Sequence, residues 1–225
     1  MQQKLNREDK LFSKFSHDLR GSFVSILGYT ELLNDPAEKI TKQEINEFAK
    51  RIDSRTKEAY DLLDNFINWL KLEQYNKKLL AEENFLFDCI VEVISHFNKI
   101  FSEKKIVIVN DIAKRSKVFI DLQILQGILK NIFFFISKNI LDNTTLKIGY
   151  VAYSQNIIIK YVFSSNIDKY QTEALLTLQD SNNIDVPNIP NEIIFAKKFV
   201  ELSNGKFELI VGNDSKAQII LSLPK

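Results

Sequence analysis

A chain of 225 residues, 45% hydrophobic and 26% charged, has the make-up of a soluble globular protein with room for one or two domains. A formal net charge of +1 supplies no field to hold nucleic acid or an anionic membrane, so neither is expected as a partner. Cys89 is the sole cysteine, which excludes an internal disulfide and points to a cytoplasmic location.

The opening MQQKLNREDK lacks the apolar core of a signal peptide. Residues 5–34 predict one helix, closed by the breaker Asp35-Pro36. Its apolar stripe is Phe12, Phe15, Leu19, Phe23, Ile26, Thr30 and Leu33, in steps of three and four. His17 lies about 160–200° around the helix from Phe15 and Leu19, on the solvent side, with Asp18 beside it. Neutral imidazole is a nucleophile, and an adjacent acid can take or orient its proton, so the pair suits reversible phosphoryl acceptance. A second helix follows, with Ile45, Phe48, Ile52, Ala59, Leu62, Phe66 and Trp69 as its stripe. Thr41 and Glu44 form a capping-box pattern at its start. Two such helices make an antiparallel hairpin. One hairpin cannot cover both stripes, so dimerisation through residues 5–76 into a four-helix bundle is expected.

After Tyr75-Asn76-Lys77-Lys78 the pattern changes. Helices are predicted at 87–102, 121–139 and 192–203, and strands at 105–110, 118–120, 146–152, 157–163, 206–211 and 217–223. The greasiest run, 132–136, is far too short to span a bilayer. Residues 164–191, with Pro187 and Pro190, read as irregular. Asn204-Gly205 is a C-cap signal. The alternation predicts an α+β protein whose second part is a mixed sheet with helices on one face. His96 lies in an apolar run with no acid at helical spacing and reads as filler.

Ser16 to Leu33, SHDLRGSFVSILGYTELL, resembles the phosphoacceptor motif of two-component histidine kinases, S-H-[DE]-L-R-x-P-L-x-x-I-x-G-Y-x-E-L-L. It departs mainly at Ser22, where proline is usual, and at Phe23. The resemblance implies His17 as phosphoacceptor, Asp18 as its acid–base neighbour, and Arg20 and Gly21 near the phosphoryl group. Many relatives have Thr or Asn at the place of Gly21, positioning water for dephosphorylation, which glycine cannot do. Receiver-facing positions would be Ser13, Ser22 and Val24 on the first helix and Asn65 and Asn68 on the second.

The resemblance continues downstream with a different outcome. Residues 121–131, DLQILQGILKN, follow the approach to the family's asparagine box, ending at Asn131. The magnesium-binding asparagine expected four residues later is Phe135, and a phenyl ring cannot ligate a hard cation. Lys138 is kept, as a lone lysine on a helix that is expected to be solvated. The adenine-gripping acid expected after a strand falls near Phe163. AKKFVEL then Asn204-Gly205-Lys206 matches the family's last helix, which puts Pro190 and Glu192 where phosphate-cradling glycines belong. None of the six glycines lies between Gly149 and Gly205.

The fold so implied is a helical hairpin in 1–78, forming a dimeric four-helix bundle, then a Bergerat-like α/β sandwich in 79–225 with a degenerate nucleotide site. The function so implied is that of a dimeric histidine phosphotransferase passing phosphoryl groups between receiver domains of response regulators. No cofactor is expected on that reading. ATP and magnesium enter only on an alternative, an active kinase with a divergent site. A further alternative is a non-enzymatic pseudokinase that regulates receivers or kinases by binding. The opening Met and a last strand ending in Leu223-Pro224 are read as the ends of an intact module. If so, the module would have no membrane sensor of its own and would take its input from a partner.

Overall fold

Hydrophobic spacing and caps place most elements of the computed structural model, which describes residues 2–35, 40–74, 80–167, 173, 189–212 and 214–224. Side chains are described from Phe12 in the first helix and to Lys71 in the second. The chain divides into two compact units, Met1–Leu70 and Lys71–Lys225. The boundary expected at 78 lies outside the described residues, as do Pro187 and most of 164–191.

The first unit is a helical hairpin of α1 (Gln2–Asn34) and α2 (Lys42–Gln74). Thr41 caps α2 as its sequence foretells. Its N–H donates to Glu44 Oε2 at 2.8 Å, and Glu44 N–H donates back to Thr41 Oγ1 at 3.3 Å. Hydrogen bonds from the Thr41 side chain and backbone hold the Glu44 carboxyl below its ordinary value. Aromatic contacts fix the antiparallel register. Phe66 stacks on Phe15 with ring centroids 3.9 Å apart and meets Phe12 edge-on at 4.9 Å, while Tyr29 lies 5.7 Å from Phe48 at the other end. Ala59, Leu62, Phe66 and Trp69 are buried as expected. Phe23 is a correction: it is exposed, as are Val24 and Leu27. At 100° per residue Phe23 sits about 80° from Phe15, at the stripe's edge and turned toward Leu27. On α2, Tyr60, Leu63 and Ile67 make a similar exposed row.

The second unit begins with β1 (Glu82–Phe85) and α3 (Leu86–Glu103). There follow β2 (Val107–Asn110), β3 (Lys117–Ile120), α4 (Leu122–Asn139), β4 (Thr145–Ala152) and β5 (Asn156–Ser164). Then come α5 (Asn191–Leu202), β6 (Lys206–Val211) and β7 (Lys216–Pro224). The main sheet has the order β2-β4-β5-β7-β6, parallel at β2–β4 and antiparallel elsewhere, and β1 pairs with β3 in a separate ribbon. Period-two burial marks the inner face: Leu146 and Ile148, Ile157 to Phe163 at alternate positions, and Ala217 to Leu223 likewise. Lys147 and Lys160 point the other way, into solvent. Helices cover the inner face. Phe133 of α4 meets Tyr161 of β5 edge-on at 5.7 Å, and burial holds the Tyr161 phenol far above its ordinary pKa. Asp121 caps α4, accepting from Gln123 N–H at 2.9 Å.

α5 ends in a Schellman turn. Gly205 N–H donates to Val200 O at 2.9 Å and Asn204 N–H to Glu201 O at 3.1 Å, with Asn204 at φ 57°. Gly205 is there for space, because a Cβ would lie 2.6 Å from Ser222 O and 2.9 Å from Val200 Cγ1. Gly205→Ala is expected to cost about 1–3 kcal/mol, read as a lower urea midpoint at unchanged slope. Among the described residues, no helix is long and apolar enough to cross a membrane.

Candidate functional site

His17 stands in the middle of α1, two residues and about half a turn beyond the ring stack of Phe15 on Phe66. That stack fixes the helix while leaving the imidazole 86% exposed. Its Nδ1 lies 3.1 Å from Asp18 Oδ1. An ionised carboxylate only accepts, so the contact is a hydrogen bond in the tautomer with hydrogen on Nδ1, which leaves the lone pair of a neutral ring on Nε2. Asp18 Oδ2 in turn accepts from Lys14 Nζ at 3.1 Å. Sequence reasoning passed over Lys14, although its position four residues before Asp18 is the signal that would have found it.

Ser13, His17, Arg20 and Val24 are all exposed at spacings of four, three and four, which makes one row with His17 inside it. Ser22 departs from that row. It is half-buried, and its hydroxyl donates to Asp18 O at 3.2 Å. The residue at the family's proline position thus bonds back to the preceding turn of its own helix. Gly21 is exposed and a Cβ there would meet nothing within 4 Å, so packing does not demand glycine. On α2, Asn65 and Asn68 flank Phe66, at the level of the α1 turn that precedes His17. Asn68 Nδ2 donates to Asp64 Oδ2 at 3.1 Å. His96 is exposed, with Nδ1 3.0 Å from Glu92 O of its own helix.

The other candidate residues lie in the second unit, where α4 faces α5. Asn131 is buried, with Nδ2 donating to Gly127 O at 2.8 Å. Phe135 and Phe163 are each 1% exposed and belong to the core. Pro190 is the residue before α5, and its carbonyl accepts from Ile193 N–H at 3.1 Å. Lys138 is a correction: it is not a lone solvated lysine. Its Nζ reaches Glu192 Oε1 at 2.5 Å and lies 4.1 Å from the centroid of the Phe134 ring. The lysine side chain is 46% exposed and the glutamate 11%, so the pair closes the gap between α4 and α5 from the rim inward. Lys138→Met leaves that carboxylate shielded beside apolar neighbours and is expected to cost about 1–2 kcal/mol. Adding Glu192→Gln should return most of the loss, seen as coupling in a double-mutant thermal-unfolding cycle. Among the described residues, no group of three or more His, Cys, Asp or Glu side chains is placed to hold a metal ion.

No protein-family model matches the chain, and no curated protein matches it. Solved structures do. A histidine kinase of Acinetobacter baumannii, AdeS, superposes with a TM-score of 0.69 at 15% identity, over 92% of this chain and 97% of that one. Histidine kinase ThkA, in complex with response regulator protein TrrA, gives 0.71 at 16% identity over 100% of this chain and 64% of that one. Full-length ShkA in complex with AMPPNP gives 0.59 at 13% identity, over 94% and 45% respectively. The helical hairpin followed by a helix-covered mixed sheet is thus the fold of the phosphoacceptor and ATPase core of histidine kinases.

Proposed function

We propose that this chain is a histidine phosphotransferase of a two-component phosphorelay, moving a phosphoryl group between His17 and the aspartates of response-regulator receiver domains. The observation that carries the reading is His17 itself, 86% exposed with its ring held through Nδ1. Nε2 attacks the phosphorus of a receiver's acyl phosphate in line. The N–P bond forms as the P–O bond breaks, and the aspartate leaves as a carboxylate. Nδ1 keeps its hydrogen, and Asp18 carries the counter-charge for the cationic ring. The reverse step delivers the group to a second receiver. On this reading Arg20, in the same row, meets phosphoryl oxygens, and Ser13, Val24, Asn65 and Asn68 meet the receiver surface. Ser22, half-buried and bonded to Asp18 O, would sit at the edge of that surface. ThkA, which shares the fold, is seen with a response regulator, and that supports this class of partner.

Magnesium-ATP does not fit the second unit on this reading. The places of the metal ligand and the adenine acid hold Phe135 and Phe163, both inside the core. Where phosphate would be cradled, the Glu192 carboxylate already takes Lys138. The exposed rows Phe23–Leu27 on α1 and Tyr60–Leu63–Ile67 on α2 support a homodimer through residues 5–76, a second hairpin covering them in a four-helix bundle. The protein would act in the cytoplasm, where receivers are.

The test has two arms. Incubation with phosphorylated receivers should place label on His17, and equilibrium dialysis should show no ATP bound at millimolar nucleotide with magnesium. Labelling by ATP alone would give the protein to the kinases instead.

A further inference from the structure

We propose that Lys14 is a positioning residue for phosphoryl transfer at His17, acting through Asp18 to hold the imidazole in its Nδ1–H form. The inference rests on the phosphotransfer reading above and adds to it a residue that the phosphoacceptor motif does not contain. Three side chains on successive ridges of α1 form a chain of contacts: Lys14 Nζ to Asp18 Oδ2 at 3.1 Å, and Asp18 Oδ1 to His17 Nδ1 at 3.1 Å. One carboxylate oxygen meets the ammonium and the other meets the ring. Exposure rises along the chain, from 21% at Lys14 and 27% at Asp18 to 86% at His17. Orienting groups are shielded while the reacting ring is open.

The division of the carboxylate has a chemical consequence. A carboxylate anchored at only one oxygen turns about its Cβ–Cγ bond, and the ring can turn with it. With Oδ2 held by the ammonium, Oδ1 stays beside Nδ1 and Asp18 remains an acceptor at both oxygens. The ring must then present hydrogen at Nδ1 and the lone pair at Nε2, which is the nucleophile a phosphorus atom needs. A helix-stabilising role explains the pair poorly. Lysine before the acid is the less favourable order at this spacing, and such pairs at a protein surface hold little.

The test uses the full chain with Lys14→Met, which keeps stem length and removes the charge, and Lys14→Arg, which keeps the charge. Nitrogen-15 NMR of the imidazole reads the tautomer directly, and labelling by potassium phosphoramidate reads Nε2 nucleophilicity with no receiver present. Lys14→Met should shift the ring toward the Nε2–H form and slow labelling at His17 about tenfold. Lys14→Arg should restore both. An unchanged tautomer ratio in Lys14→Met overturns the proposal, whatever receivers do. A shifted ratio with phosphoramidate labelling slowed upholds it. If the ratio shifts and no phosphorylated receiver labels wild-type His17, the relay reading fails, and Lys14 stands only as the orienter of a ring that serves another reaction.

Discussion

His17→Ala is expected to take up no phosphoryl group from any receiver that labels the wild-type chain, a loss of at least about 10³-fold in rate. The size follows from the chemistry. The relay step is a covalent transfer to one nitrogen, and without that nitrogen no bond can form, whereas loss of an orienting group leaves the nucleophile in place. Stability should move by less than about 0.5 kcal/mol, because the side chain is almost wholly solvated. His96→Ala is the matched control. That ring is exposed and bonded to the Glu92 carbonyl of its own helix, so its loss should leave labelling unchanged. Phosphorylated receiver, gel autoradiography and a thermal melt give all these results in one series. A pseudokinase that works by binding alone predicts the opposite outcome for His17→Ala, with its effect on receivers or kinases intact.

Much of the fold was legible because it is signalled locally. Thr41 with Glu44 and Asn204-Gly205 after α5 each meet a backbone demand within a few residues, and each appears with the bonds its spacing implies. β1 was not legible. Glu82-Glu83-Asn84-Phe85 has no apolar alternation, and it becomes a strand through pairing with Lys117–Ile120, helped by the Asn84 amide donating to Ile120 O at 2.9 Å. The start of β2 was read two residues early, since Lys105 has φ 53° and cannot continue a strand. Phe23 was assigned to the intrachain stripe because spacing alone cannot say how wide a stripe one neighbour covers. Lys138 was read as solvated because its partner lies 54 positions away. Contacts of that range follow from the fold, and no window of sequence contains them. Lys14 is different: its spacing of four residues to Asp18 lies within one window of sequence.

Phe163→Asp, which restores the acid type that the family resemblance expects, should destabilise the second unit by about 4–6 kcal/mol and lower its midpoint by roughly 10 °C or more. Phe163 is 1% exposed on the inner face of β5, in the row with Ile157, Ile159 and Tyr161, and it pairs with Ala217 of β7. Removing the ring opens a hole at the end of that row. The carboxyl put in its place finds apolar neighbours and pays to lose water. A buried carboxyl resists ionisation, so in the variant its folded pKa lies above the unfolded value near about 4. The folded state then binds more protons than the unfolded one. Stability of the variant should therefore fall as pH rises above about 4, and part of the loss should return on acidification. Phe163→Leu removes the ring without adding charge and should show the smaller loss and no such slope. Urea midpoints at pH 4.5 and 7.5 for both variants measure the difference. A cost below about 1 kcal/mol for Phe163→Asp, with ATP binding gained, would mean that a nucleotide-sized space persists behind this side chain.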